Sequence, residues 1–201
     1  MSVLGTVLCG DIIPPDGPPV RTLHLADGAT ATTAAQCARV VPGGSDLLVV
    51  AFEGSPARWL DGWRTVVGDP DRVTFVVADA AEWLAGAPRS RIESAAAPDT
   101  TLRTPLVDSP GNLTDLGVTL LDALESHDAA DTRTTLCCQS LTVLLQYSTA
   151  DEVYQFLHVL IRHLERFDAV GHFHLHEPAH DAETVATLRR LFDRVRRDGD
   201  G

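Results

Sequence analysis

Two stretches of the chain carry residue types that can do chemistry. The first, "DLLVVAFEGSPARW" (46–59), runs from an apolar strand through a glycine turn into a helix start, which is the outline of a phosphate-binding turn. The second, "GHFHLHEPAHD" (171–181), alternates His172, His174 and His176 and adds His180. Alternate residues of a strand share a face and imidazole is the commonest side-chain metal donor, so this spacing suits zinc or a similar ion. Three ligands on one straight strand spread too far for a single ion, which leaves a histidine pair completed by His180 or a carboxylate. The competing expectation is a polar strand end whose histidines bond to neighbouring loops.

The phosphate outline lacks its working parts. A turn of the form GxxxxGK[ST] cradles phosphate with consecutive backbone N–H groups, a lysine and a magnesium-binding hydroxyl. All 16 basic residues here are arginine, so no lysine can be supplied. Pro56 has no N–H to give, Ser55 is expected to cap the helix and so occupy a neighbouring donor, and Glu53 puts negative charge where phosphate would lie. Glu53, Gly54 and Ser55 stay candidates for holding a ligand without phosphate chemistry. Asp79, Gln139 and Ser140 join them, because strand ends form the ligand crevice of open α/β sheets. Ser140 has no His/Asp partner in an elbow motif and reads as a fold-determining residue rather than a nucleophile.

The elements that position these residues follow from periodicity. "DLLVVAF" (46–52) and "RVTFVVAD" (72–79) are continuous apolar runs suited to strands buried on both faces of a parallel sheet. Between them Pro56 sits at the first helical position, with Trp59, Leu60, Trp63, Val66 and Val67 on one face. "VRTLHLAD" and "TLRTPLVD" (101–108) read as shorter strands, and 81–99 as a short helix or loop. Leu113, Leu116, Leu120, Leu121 and Leu124 mark an amphipathic helix, and "TTLCCQSLTVLL" (134–145) a strand running into a helical turn. Thr149 and Glu152 form a capping box for a helix whose face is Val153, Phe156, Leu157, Leu160 and Leu164. "AVGHFHLHE" (169–177) is the last strand. Asp181 caps a final helix with the face Val185, Leu188, Phe192 and Val195, which carries Arg189, Arg190, Arg194, Arg196 and Arg197. Repeated βα units imply a mostly parallel sheet flanked by helices.

Composition bounds the function classes. With 201 residues and 44% hydrophobic content, the expectation is one domain over 1–201, with a poorly defined segment at 1–35 and the core over 36–197. A net charge of −12, dispersed over both halves, repels polyanions and argues against nucleic acid or anionic lipid as the main partner. Dispersed acid without lysine also fits a surface solvated in a high-salt cytoplasm. No apolar run is long enough to span a membrane and no basic leader opens the chain, so a cytoplasmic protein is expected. The four cysteines form no CxxC pair, and the adjacent Cys137 and Cys138 read as small core residues on opposite faces.

The order of elements and several strings resemble the RecA-like ATPase fold in its KaiC-like branch. "VPGGSDLLVVAF" is similar to that branch's glycine-rich lead-in to the P-loop strand, and "LCCQSLTVLL" to its Walker B strand with Gln139 in place of the aspartate. "SPGNLTDLG", "SLTVLLQY", "FLHVL" and "HDAETVATLRRLFD" resemble an uncharacterised haloarchaeal family, some of whose members are labelled HTR-like, over about residues 36–197. The resemblance implies a RecA-like sheet with degenerate Walker motifs. It implies a catalytically inactive regulatory or scaffolding domain that self-associates or joins a protein partner. A neutral amide at Gln139 cannot order magnesium as a carboxylate does. Two alternatives stand beside this: a non-hydrolytic sensor of a nucleotide or small molecule at the strand-end crevice, and a histidine-based metal protein.

Overall fold

The computed structural model describes residues 18–27, 45–52, 56–78, 99–128 and 132–197. Their core is one open sheet in which every described strand pair is parallel. In chain order the strands are β1 (Arg21–Ala26), β2 (Asp46–Ala51), β3 (Arg72–Ala78), β4 (Thr101–Arg103), β5 (Leu106–Val107), β6 (Thr134–Cys138), β7 (Val170–His176) and β8 (Arg194–Arg197). Across the sheet they lie in the order β4-β3-β2-β6-β7-β1-β8, with β5 also on β3. The helices are α1 (Pro56–Val67), α2 (Leu113–Asp128), α3 (Leu141–Tyr147), α4 (Ala150–Arg166) and α5 (Ala182–Arg189).

The apolar runs become the strands they predict because both faces are covered. One cluster joins Leu48, Val50, Val76, Leu136, Cys138 and Phe173 to α2, α3 and α4. The other joins Leu47, Val49, Val73, Phe75, Val77 and Cys137 to Trp59, Leu60 and Trp63 of α1. Cys137 and Cys138 thus face opposite ways, as strand alternation requires. Cys138 is free, and burial pushes its thiol up to about 12. Cys137 is disulfide-bonded, which the cysteine spacing did not signal.

Local signals set the helix ends. Pro56 opens α1, and Gly68, at φ 91°, follows its end in a backbone region only glycine enters cheaply. The capping box of α4 is formed, with the Glu152 carboxylate accepting from Thr149 N–H at 2.8 Å and Thr149 Oγ1 accepting from Glu152 N–H at 3.3 Å. Asp181 caps α5 by accepting from Thr184 N–H at 2.7 Å.

Three readings change. "TLRTPLVD" is two short strands, since Pro105 between them has no N–H for a ladder, although its carbonyl accepts from Val77 N–H. The final helix stops at Arg189, and Arg194–Arg197 is a strand beside β1. The helical spacing of Phe192 and Val195 is coincidental, because Asp193 N–H donates to Arg21 O at 3.0 Å and starts a ladder there. Arg194, Arg196 and Arg197 therefore belong to β8. The segment at 1–35 contributes an interior strand: β1 pairs with β7 on one side and β8 on the other.

Candidate functional site

In an open α/β sheet a ligand crevice forms where neighbouring strands send their connections in opposite directions. The strand order contains one point where adjacent connections diverge. From β2 the chain moves to β3, while from the adjacent β6 it moves to β7. At the neighbouring β7 and β1 the connections converge instead, β7 leading past β1 to β8 and β1 leading past β7 to β2, so that rim is a strand end without a switch point.

At this switch point the end of β6 is tied to the end of β2. Gln139 is buried, at 8% exposure; its Oε1 accepts from Phe52 N–H at 3.3 Å and its own N–H donates to Val50 O at 3.1 Å. The carboxamide spans the gap between the two strands and satisfies a backbone group there. Ser140 comes next as the N-cap of α3, its Oγ accepting from Val143 N–H at 3.2 Å, the fold-determining role expected of it. Glu53, Gly54, Ser55 and Asp79 lie outside the described residues.

At the rim of β7 and β1 His176 ends β7 with its Nδ1 3.3 Å from Ala26 O of β1, and its N–H donates to Thr142 Oγ1 at 3.0 Å. Thr142 Oγ1 also lies 3.0 Å from His180 Nε2. A hydroxyl that accepts from the His176 N–H has its own proton left to donate to a neutral His180. Burial is the main influence lowering His180 from the ordinary imidazole value, ahead of opposing effects of Asp181 and His176.

The remaining two predicted histidines lie elsewhere. His172 and His174 are interior to the sheet, at 1% and 7% exposure, and meet a third histidine that the sequence reading missed. In the ladder His24 of β1 stands opposite His174, with Arg196 of β8 on its other side. His24 Nε2 is 3.0 Å from His172 Nδ1, and the His24 ring stacks on His174 with centroids 4.6 Å apart. Cys137 Sγ approaches His174 Nε2 at 3.9 Å. Burial, then the Arg196 charge, pushes His24 down to about 4. Burial, then His24 and Arg196, takes His172 down to about 3, and burial holds His174 well below the usual range. All three are neutral near pH 7. His172 Nε2 and Thr135 Oγ1 are buried without a hydrogen-bond partner.

The predicted metal set thus divides into two buried rings within the sheet and two at its rim. Among the described residues no group of three or more His, Cys, Asp or Glu is arranged to hold a metal ion. Histidine alternation placed His172 and His174 on one face correctly. The signal for His24 was the alternation of "RTLHLA", with Thr22 and His24 on one side and Leu23 and Leu25 on the other. His127 was also missed, although it continues the buried stripe Leu116, Leu120, Leu124 of α2; its Nε2 lies 2.9 Å from Thr74 Oγ1.

Residues 21–196 match DUF7504, a family of unknown function. The chain belongs to this family. No curated protein matches it. The DUF7504 match begins at the first residue of β1 and ends within β8, so the family region includes both strands at the histidine end of the sheet. No helix among the described residues is long and apolar enough to cross a membrane.

Proposed function

We propose that this DUF7504 domain is a non-enzymatic binding module with a RecA/KaiC-like fold whose nucleotide site has been dismantled, acting as a regulatory or scaffolding protein. The observation that carries this reading is the condition of the strand ends at the switch point and at the neighbouring rim of β7 and β1. At each, a side chain of one strand is engaged with the backbone of its neighbour: Gln139 with Phe52 N–H, and His176 with Ala26 O. Each of these side chains spends a bonding position on the neighbouring strand's backbone, which supports a structural role for it. The all-parallel sheet is compatible with the RecA-like architecture. The lysine-free composition removes the side chain that phosphoryl-transfer sites of this type use on the outer phosphates.

The test is calorimetric titration with ATP and magnesium in molar potassium chloride, with ADP and a cyclic nucleotide alongside. The expected result is no binding heat and no thermal shift up to millimolar nucleotide. Saturable one-to-one binding weakened by Gln139→Ala would overturn the reading in favour of a nucleotide sensor, and turnover of ATP would make the domain an enzyme.

A further inference from the structure

Beyond β4, the last strand on one side of the described sheet, a cleft of about 450 Å³ opens against α2. Its origin is Pro105. Proline has no N–H for the ladder, so the strand beside β3 breaks into β4 and β5, and Thr104 and Pro105 line the gap between them. Arg103 stands opposite Thr74 in the β3 ladder, and Thr74 Oγ1 reaches His127 of α2, so both side chains lie on the face that α2 covers. From α2 the cleft receives Thr119, Asp122 and Ala123, whose spacing puts them on one side of the helix.

The two charged groups of the cleft are not spent on each other. Arg21, Arg64, Arg72, Arg133 and Arg197 each pair with a carboxylate. Arg103 does not: its Nη1 donates to Ser126 Oγ at 2.8 Å, in the last turn of α2, where the end carbonyls favour a cation. Ser126 comes one turn after Asp122, about 6 Å along the helix at 1.5 Å per residue. Asp122 itself forms neither an ion pair nor a hydrogen bond with a described residue. The guanidinium is thus anchored one turn from the carboxylate, with N–H groups left to donate on one side and oxygens left to accept on the other. At the back of the cleft Thr74 is already bonded to His127, and Pro105 and Ala123 supply an apolar floor. No aromatic ring is among the described lining residues, so a quaternary ammonium would find no cage, and the carboxylate suits a primary ammonium.

We propose that this cleft binds a free α-amino acid. The ligand's ammonium donates to the Asp122 carboxylate, its carboxylate accepts from the Arg103 guanidinium, and its side chain lies on Pro105 and Ala123. An α-amino acid carries its two charges on adjacent carbons, and with a charge-assisted hydrogen bond of about 2.8 Å at each end it covers the one-turn separation. A peptide terminus brings one charge and leaves the other group unanswered. The small apolar floor favours a short aliphatic side chain. This site lies away from the strand ends at Gln139 and His176, so it does not depend on the state of the nucleotide crevice.

The standard L-amino acids are titrated singly into the full chain to the millimolar range, in the lowest potassium chloride at which the thermal transition is intact. Binding is followed by calorimetry and by amide shifts in NMR spectra. The expected result is saturable binding of an aliphatic amino acid, with shifts centred on Arg103, Thr104, Thr119 and Asp122. The deaminated carboxylic acid and the decarboxylated amine of that ligand should each bind at least about tenfold more weakly, because each gives up one charge-assisted contact. Asp122→Asn should weaken the amino acid by about tenfold without weakening the carboxylic acid. Arg103→Gln should weaken the amino acid to a similar degree without weakening the amine. Both residues are exposed, so the thermal transition should stay in place in either variant.

Silence toward every amino acid, shifts elsewhere, or indifference to both substitutions would overturn the proposal. So would equal affinity for the amine or the carboxylic acid, which would leave a site for a single charge. A dipeptide of the same residue, whose charges lie further apart, should bind more weakly; equal affinity for it would make a peptide the ligand and overturn the assignment. Nucleotide titration of the same sample separates the two conclusions. Nucleotide binding with an intact amino-acid response sinks the dismantled-site reading alone, and silence toward both ligands sinks the cleft alone.

Discussion

One face of the sheet is two surfaces. Across β2 and β3 it is apolar, with Leu47, Val49, Val73, Phe75 and Val77 packed against Trp59 and Trp63 of α1. The Trp59 ring stacks on Trp63 at 5.1 Å and meets Phe75 edge-on at 5.4 Å. Across β6, β7, β1 and β8 the same face carries Thr135, Cys137, His172, His174, Thr22, His24 and Arg196. The reverse side of those strands is again apolar, with Leu23, Leu25, Leu136, Phe173 and Leu175. Burial alone does not distinguish the two halves. The first gains chiefly from area removed from water and encloses one unpartnered polar atom, Trp59 Nε1, while the second encloses many polar atoms and leaves two, Thr135 Oγ1 and His172 Nε2, without partners. Stability should therefore concentrate in the tryptophan half and pH sensitivity in the histidine half.

Acidification should give the largest contrast. The folded state holds His24 at about 4 and His172 at about 3, and His174 is lowered as well, whereas the unfolded chain titrates its histidines near 6.5. Unfolding then takes up protons below pH 6.5, so stability is full above that pH and falls as pH drops toward 4. The three groups of the histidine half give up to about 4 kcal/mol per pH unit, about 1.4 each, in addition to His127 of α2, which burial also pushes down to about 4. Urea unfolding between pH 7 and 5 measures it. His172→Phe should remove about one proton from the uptake, and a pH-independent midpoint would break the contrast.

Next in size is Phe75→Ala, which opens a cavity beneath α1 and should cost about 3 to 5 kcal/mol by chemical denaturation, without altering the pH slope. Gln139→Ala should cost about 1 to 3 kcal/mol, because the Phe52 N–H it serves is left unpaired at a buried position. Thr149→Ala, remote from both halves, should cost about 1 kcal/mol through loss of the α4 cap. Smallest is His172→Leu at pH 7, expected to stay below about 1 kcal/mol, because it removes an unpartnered nitrogen together with one hydrogen bond. A loss as large as that of Phe75→Ala would mean the histidine half is structural in its own right.

The tryptophan half was legible and the histidine half was not, for a physical reason. "DLLVVAF" and "RVTFVVAD" announce themselves because a strand buried on both faces has no polar position, and Trp59, Leu60 and Trp63 repeat at helical spacing. The capping box at Thr149 and the cap at Asp181 were equally plain, because their partners lie three residues away. The histidine cluster depends on β1 meeting β7, a register that no local pattern encodes. His24 and His172 are 148 residues apart in sequence. The same distance hid β8: without β1 beside it, "RVRR" reads as the end of a helix. Of the predicted strand-end residues, Gln139 and Ser140 were located correctly. That Gln139 would bind the neighbouring strand's backbone could not be read from its position.

The placement of β1 between β7 and β8 has a consequence for how the protein is made. The first described strand to leave the ribosome is the one whose two neighbours leave last. Until Val170–His176 and Arg194–Arg197 have been synthesised, Arg21–Ala26 has no ladder to join, and its Leu23 and Leu25 have no covering layer. Strands β2, β3 and β6 can pair while the chain is still growing. The sheet is completed only after β8 has been synthesised, so a nascent chain stalled before β7 carries an unpaired β1 with its apolar side uncovered, the state that chaperones recognise.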